Sequence, residues 1–196
     1  DRDFMDVSVD RLLDEEYLTA RGALIDPDRA VQRVQPGSAV TDTETIYLSV
    51  ADSDGNMISF INSIFDYFGS GVVVPGTGFI LQNRGAGFTL EDGHPNQAGP
   101  GKRPFHTLIP GFVTKEGAPW MTFGLMGGSM QPQGHTQMLL NILVFGMDLQ
   151  DAIDAPRFRH LSGYSVAIED PIREEVRVGL EALGHELRVQ GPGSFG

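Results

Sequence analysis

Residues 45–62, Thr45-Ile46-Tyr47-Leu48-Ser49-Val50-Ala51-Asp52-Ser53-Asp54-Gly55-Asn56-Met57-Ile58-Ser59-Phe60-Ile61-Asn62, decide how the rest of the chain is read. Ile46, Leu48 and Val50 alternate with Tyr47, Ser49 and Ala51, the period-two pattern of a strand. Asp54-Gly55 signals a tight hairpin turn, and residues 57–62 form the return strand. Upstream, residues 34–44 (VQPGSAVTDTE) are polar, lack periodicity and hold Pro36 and Gly37, which makes them a linker. A threonine thus opens a β-hairpin directly after a linker. A threonine hydroxyl is a poor nucleophile without a base beside it. Its own α-amine becomes that base once the preceding peptide bond is cut. With a reference pKa of about 7.7–8.0, a useful fraction of that amine is neutral near physiological pH. On these residues alone the plainer reading is favoured, because threonine is a common strand residue.

Composition narrows the rest. The chain has 196 residues, no cysteine, 25 glycines, and 14 basic against 26 acidic residues, for a formal net charge of -12. Without cysteine there is no disulfide framework, thiolate metal site or cysteine nucleophile. The negative balance argues against a nucleic-acid partner, which needs a basic patch. No apolar run approaches the roughly 18–20 residues of a membrane span. A hydrophobic content of 40% is too high for a disordered chain. The start at Asp1 and the Gly/Pro-rich stretch ending at Gly196 read as the ends of a fragment, and a cysteine-free chain suits a cytoplasmic or a periplasmic or secreted home alike.

Working outward, residues 1–35 read as mostly helical. Ser8 caps a helix with apolar positions Val9, Leu12, Leu13 and Leu18, and Asp26-Pro27-Asp28 is a turn. Downstream, short strands are expected at 72–74 and 79–81, a loop over 84–103, and a hairpin from 112–114 and 120–123. The pattern predicts a buried helix over 134–145, apolar on nearly all faces. Asp148 caps a short helix before Pro156, and 164–168 is a strand. Asp170-Pro171 starts a helix that Gly184 stops, and 187–189 is a last strand. Strands, a buried helix, strands, helix and strand make an α+β layered architecture.

Two further segments carry chemistry. Gly127-Gly128-Ser129 precedes the buried helix, and paired glycines there can aim backbone N–H groups at an oxyanion. Lys102-Arg103-Pro104-Phe105-His106-Thr107 is a compact cationic site in an acidic chain, suited to an anionic substrate group. Taken alone, a tight turn and a structural ion pair are the plainer readings. Asp52-Ser53-Asp54-Gly55-Asn56 has the look of a calcium loop, but Ser63 stands at the twelfth position where an acid is needed, so a turn is preferred. His94, His106, His135, His160 and His185 show no metal-ligand spacing. His135 reads as packing near the buried helix.

Taken together and in order, these segments resemble the γ-glutamyltransferase family of N-terminal-nucleophile hydrolases. The residues that carry the resemblance are 45–52 with Asp54-Gly55-Asn56, the run Phe68-Gly69-Ser70-Gly71-Val72-Val73-Val74-Pro75-Gly76-Thr77-Gly78, Gly99-Pro100-Gly101-Lys102-Arg103-Pro104, Gly127-Gly128-Ser129, and 141–158 ending in Ala155-Pro156-Arg157-Phe158. The resemblance implies an αββα sandwich, only part of it encoded here. Residues 1–44 look like the C-terminal tail of a large subunit with its processing linker. Residues 45–196 look like the small, catalytic subunit, with its C-terminus incomplete. The partner implied is the remainder of the large subunit.

The resemblance also implies roles. Thr45 matches the catalytic threonine, freed by autocleavage between Glu44 and Thr45. Ser63 falls where a hydroxyl supports the nucleophile. Gly127 and Gly128 match the oxyanion-hole glycines. His106 and Thr107 fall where typical members bind the substrate carboxylate with two serines, and only Thr107 keeps a hydroxyl. Phe65 stands where typical members have an asparagine. Arg84 and Gly87 stand where typical members place polar and acidic residues that hold the substrate α-amine. An unpaired ammonium in a desolvated site is costly, and Arg84 is suited to a carboxylate instead. The pattern is similar to the γ-glutamyltransferase-like or cephalosporin acylase-like branch. The function implied is acyl transfer or hydrolysis of γ-glutamyl or related amides, as in glutathione metabolism, with no metal or organic cofactor. The alternatives are an acylase for glutaryl- or cephalosporin-type amides and a catalytically inactive scaffold subunit.

Overall fold

The computed structural model of the chain describes residues 2–4, 8–32 and 44–196. Its elements are α1 (Val9–Leu12), α2 (Glu15–Gly22), β1 (Glu44–Ala51), β2 (Met57–Phe65), β3 (Gly111–Lys115), β4 (Ala118–Phe123), α3 (Met130–Leu143), α4 (Leu149–Asp154), β5 (Phe158–Ser162), β6 (Ser165–Glu169), α5 (Glu174–Ala182) and β7 (Glu186–Gln190). The linker expected over 34–44 lies, apart from the backbone of Glu44, outside the described residues.

The deciding hairpin forms as its alternation predicts. β1 and β2 pair antiparallel, with Thr45 opposite Ser63 and Ala51 opposite Met57. The turn is wider than a two-residue loop. Asp52 Oδ1 accepts the N–H groups of Asp54 and Asn56, and Oδ2 accepts from Asn56 Nδ2. That carboxylate caps the turn, and these hydrogen bonds, led by Asn56, lower its pKa. Gly55 supplies the positive φ of +82°.

β3 and β4 form a second antiparallel hairpin. It packs on the face of the first that carries Tyr47 and Ser59. Tyr47 OH shares a hydrogen bond with Ser59 Oγ, and Ser49 Oγ meets Thr122 Oγ1. The Tyr47 ring lies flat against Gly124, where a Cβ would fall 2.2 Å from a ring carbon. The opposite face presents Ile46, Leu48, Val50, Ile58 and Phe60, all exposed and without cover among the described residues.

The third sheet has the order β5-β6-β7, antiparallel then parallel. β6 is buried at every residue, and Met130, Ala167 and Phe195 form the core beside it with Leu125 and Leu161. β5 is an edge strand that the alternation did not announce. Two glutamines of α3, one turn apart, satisfy its outer backbone edge. Gln133 accepts from His160 N and donates to His160 O; Gln137 does the same to Phe158. Each amide thereby replaces the neighbouring strand that an edge lacks.

Several expectations need correction. The first helix is broken in two, because Ser8 caps α1 and Asp14 recaps the chain into α2. The buried helix starts at Met130, four residues earlier than expected, since Pro132 in its first turn loses no hydrogen bond. It is buried only on its inner face, at Met130, Gln131, Gly134 and His135, while Leu140 and Leu143 are exposed. Asp170-Pro171 does not cap α5. Ile172 N closes a turn on Glu169 O, Arg177 takes the carbonyl and carboxylate of Asp170, and the helix opens at Glu174. The strands expected at 72–74 and 79–81 shrink to a bridge at Val73 and Ile80.

Candidate active site

Thr45 is 3% exposed, at the start of β1, where the ladder slips by one residue. Across that bulge Glu44 pairs with Phe65 and Thr45 with Ser63. Thr45 Oγ1 donates to Ser63 Oγ at 3.2 Å. The same serine oxygen accepts from Arg84 Nη2 at 2.7 Å and from Phe65 N at 3.1 Å. Arg84 Nη1 reaches Thr107 Oγ1 at 3.4 Å. Four of the residues singled out from the sequence, Thr45, Ser63, Arg84 and Thr107, therefore meet in one network, although 62 positions separate the first from the last.

Arg84 stands on a short 3-10 turn, Arg84–Gly87, and is 6% exposed. Burial lowers its pKa, yet a guanidinium stays charged in a protein. Among the described residues it has no carboxylate partner, and its buried Nε has no hydrogen-bond acceptor. Its Cζ lies 5.1 Å from the centroid of the Phe65 ring. His106 is on the exposed side. Its Nδ1 accepts from Leu108 N, and partial burial together with the Arg84 charge lowers its pKa. Lys102 does not join the network; its Nζ sits 4.4 Å from the Phe4 ring centroid.

Gly127 and Gly128 take φ of +103° and +55°, and their carbonyls accept from Met130 N and Gln131 N at the start of α3. Their own N–H groups have no acceptor among the described residues. No hydrogen bond joins them to Thr45. They approach the network through Gln131, whose Oε1 accepts from Ile109 N, two residues beyond Thr107. A mainly apolar concavity of about 1370 Å³ lies between α3, α4 and the two hairpins, and is lined by neither Thr45, Ser63, Arg84 nor Thr107. Among the described residues no group of His, Asp or Glu could hold a metal ion, and no helix is long and apolar enough to cross a membrane.

His135 packs edge-on against Phe123, with ring centroids 4.9 Å apart, and its buried Nε2 has no partner. Burial lowers its pKa below the ordinary 6.5. The native state therefore favours the neutral ring. Its contribution to stability is complete above about pH 6.5 and is lost as pH falls toward the lowered value, and the depressed His106 acts in the same direction. Thermal melts from about pH 7 down to 5 are expected to show falling stability, and His135→Leu to flatten that slope. An unaltered slope in the variant would refute this assignment. Sequence reasoning left Gln131 and Phe65 out of the site. Phe65 was visible only as an odd residue at its position, since nothing in a phenylalanine announces its φ of +79°.

The mixed helices and strands make an α+β fold, part of the N-terminal-nucleophile hydrolase architecture that its structural neighbours share. The chain belongs to the gamma-glutamyltranspeptidase family, whose model matches residues 1–196. Among solved structures it resembles a cephalosporin acylase from Bacillus halodurans, with a TM-score of 0.89 and 46% identity, covering 99% of this chain and 35% of that one. Among characterised relatives, the glutathione hydrolase-like YwrD proenzyme of Bacillus subtilis (strain 168) is 40% identical over 155 residues, covering 79% of this chain and 29% of that protein. The oxamate amidohydrolase proenzyme of Klebsiella pneumoniae is 36% identical over 190 residues, covering 94% and 35%. The chain thus spans about a third of the length of these relatives.

Proposed function

We propose that this chain supplies the nucleophile of an amide hydrolase or acyltransferase, released by cleavage between Glu44 and Thr45. In this reading residues 1–44 are the tail of a large subunit and residues 45–196 belong to the small catalytic subunit. The observation that carries it is the buried Thr45 hydroxyl held at 3.2 Å by Ser63, inside a bulge that displaces the Glu44–Thr45 junction from regular pairing. The uncovered apolar face of β1 and β2 fits a body completed by the remainder of the large subunit.

In the precursor, Thr45 Oγ1 attacks the Glu44 carbonyl, the C–N bond breaks, and the resulting ester is hydrolysed by water. Glu44 leaves as a carboxylate and Thr45 gains a free α-amine. That amine then takes the Oγ1 proton as Oγ1 attacks a substrate amide. The Gly127 and Gly128 N–H groups receive the oxyanion, and the leaving amine departs with the proton. Water or an amine acceptor releases the acyl group. Every step is carried by protein groups, substrate and water.

A specific observation favours an acyl group that carries a carboxylate without an ammonium, such as glutaryl, over a γ-glutamyl one, which carries both. Arg84 places a buried cation beside the nucleophile with no carboxylate among the described residues. Of the relatives' names, those of an acylase and an oxamate amidohydrolase point the same way, while that of the glutathione hydrolase-like proenzyme points to γ-glutamyl amides. His106 and Thr107 then flank the anion. Mass spectrometry of the mature full-length protein tests the nucleophile. A fragment beginning at Thr45, gaining the acyl mass on brief exposure to substrate, is expected. Full turnover by an uncut chain refutes the proposal.

A further inference from the structure

Phe65 ends β2 in a conformation that an L side chain adopts at a cost, with φ +79°, and is only 9% exposed. Glycine or asparagine would take this backbone more readily. A bulky residue held there is an outlier that the surroundings must enforce, and such outliers gather at functional sites. Two contacts show what the residue does. Its N–H donates to Ser63 Oγ at 3.1 Å, and its ring faces the Arg84 guanidinium at 5.1 Å. Phe65 therefore grips both groups that meet at the nucleophile's partner.

The geometry limits how Arg84 can act. With Nη2 on Ser63 and Nη1 on Thr107, its hydrogen bonds anchor one end of the guanidinium, while Cζ lies over the Phe65 ring. Nε remains buried and without an acceptor. A carboxylate binds a guanidinium in plane, along its N–H edges, and a ring that holds Cζ over its face fixes where those edges lie. The bonds of 2.7 and 3.2 Å, taken end to end, keep Nη2 within about 6 Å of Thr45 Oγ1. An anion on Arg84 therefore lies close to the reacting carbonyl, and an ammonium there meets a like charge.

We propose that Phe65 is a specificity-determining residue that positions Arg84, so that the pair selects acyl groups whose only charge is a carboxylate over uncharged ones and over those that also carry an ammonium. This rests on the reading of Thr45 as nucleophile. The test uses the full-length protein and anilides with one leaving group: glutaryl, uncharged pentanoyl and γ-glutamyl. Phe65→Leu removes the aromatic face and keeps an apolar side chain. The preference for glutaryl over pentanoyl is expected to fall about tenfold, with the loss in KM, and Phe65→Trp to restore it. Equal losses on both amides, or a loss confined to kcat, would mean a merely structural role and overturn the proposal. If Phe65→Leu does not fold, Phe65→Met replaces it. It fills the site without a ring, so the same loss is expected, and undiminished preference refutes the proposal. Thr45→Ala assayed in parallel keeps the two readings apart: turnover surviving in that variant sinks the nucleophile alone.

Discussion

Thr45→Ala is expected to leave the full-length protein as a single uncut species and to lower kcat/KM on any amide substrate by about three orders of magnitude or more. The variant removes the hydroxyl together with the γ-methyl, and the hydroxyl oxygen is asked to do two things: attack the Glu44 carbonyl during maturation and the substrate carbonyl afterwards. Loss of either ends activity, because an uncut chain has no α-amine at residue 45 to serve as base. Unfolding is not the cause to expect. Ser63 Oγ keeps its bonds from Arg84 and Phe65 N when the Thr45 hydroxyl is gone, so the fold loses about 2 kcal/mol, one ordinary hydrogen bond and one buried methyl. A thermal melt within several degrees of the parent checks this. Thr45→Ser restores a hydroxyl and, after cleavage, an α-amine, and should recover both processing and part of the turnover. A scaffold subunit would behave otherwise, with Thr45→Ala matching the parent in every assay. The three outcomes separate cleanly on a gel and in one kinetic series.

What could be read in the sequence is what repeats locally or is written in residue type. The alternation at 46–51 gave β1, and Asp148 gave α4, because one side chain settles each. β5 escaped notice because its partner is a helix: Gln133 and Gln137 supply the contacts of a missing strand, and no alternation in residues 158–162 reveals that. The exposure of Leu140 and Leu143 was not legible either, since an all-apolar helix reads as buried whether or not its cover belongs to the same stretch of chain. At the site, Thr45, Ser63 and Thr107 were named from family positions, and their convergence is a tertiary fact that spacing does not contain. The clustering of Arg84 on Ser63 makes physical sense only in three dimensions. A buried guanidinium must find acceptors, and two hydroxyls and an aromatic face provide them without neutralising its charge. Gly127 and Gly128 stand differently. Their positive φ and unoccupied N–H groups suit an oxyanion, while their link to Thr45 runs through Gln131 and the segment after Thr107.

Arg84→Gln is expected to separate stability from function. Glutamine can still hydrogen-bond Ser63 or Thr107, but it carries no charge. For a carboxylate-bearing amide, the lost charge-assisted contact is worth about 2–3 kcal/mol, or roughly 30–150-fold in kcat/KM. The unliganded protein should respond in the opposite sense. A buried guanidinium without a carboxylate among the described residues is held at a desolvation cost, and replacing it with a neutral amide is expected to hold or raise the melting temperature. A third measurement ties these together. Free glutarate, binding only the folded parent, should raise its melting temperature by mass action and leave Arg84→Gln unmoved. A variant that melts lower, and that glutarate stabilises as well as it does the parent, would show that Arg84 is a structural cation whose true counter-charge lies elsewhere in the protein. A variant that melts no lower, turns over the neutral amide and fails on the acidic one would show that the charge is kept for the substrate. The cost of burying Arg84 in the empty site is then the reason the site prefers an anion, because a bound carboxylate relieves it.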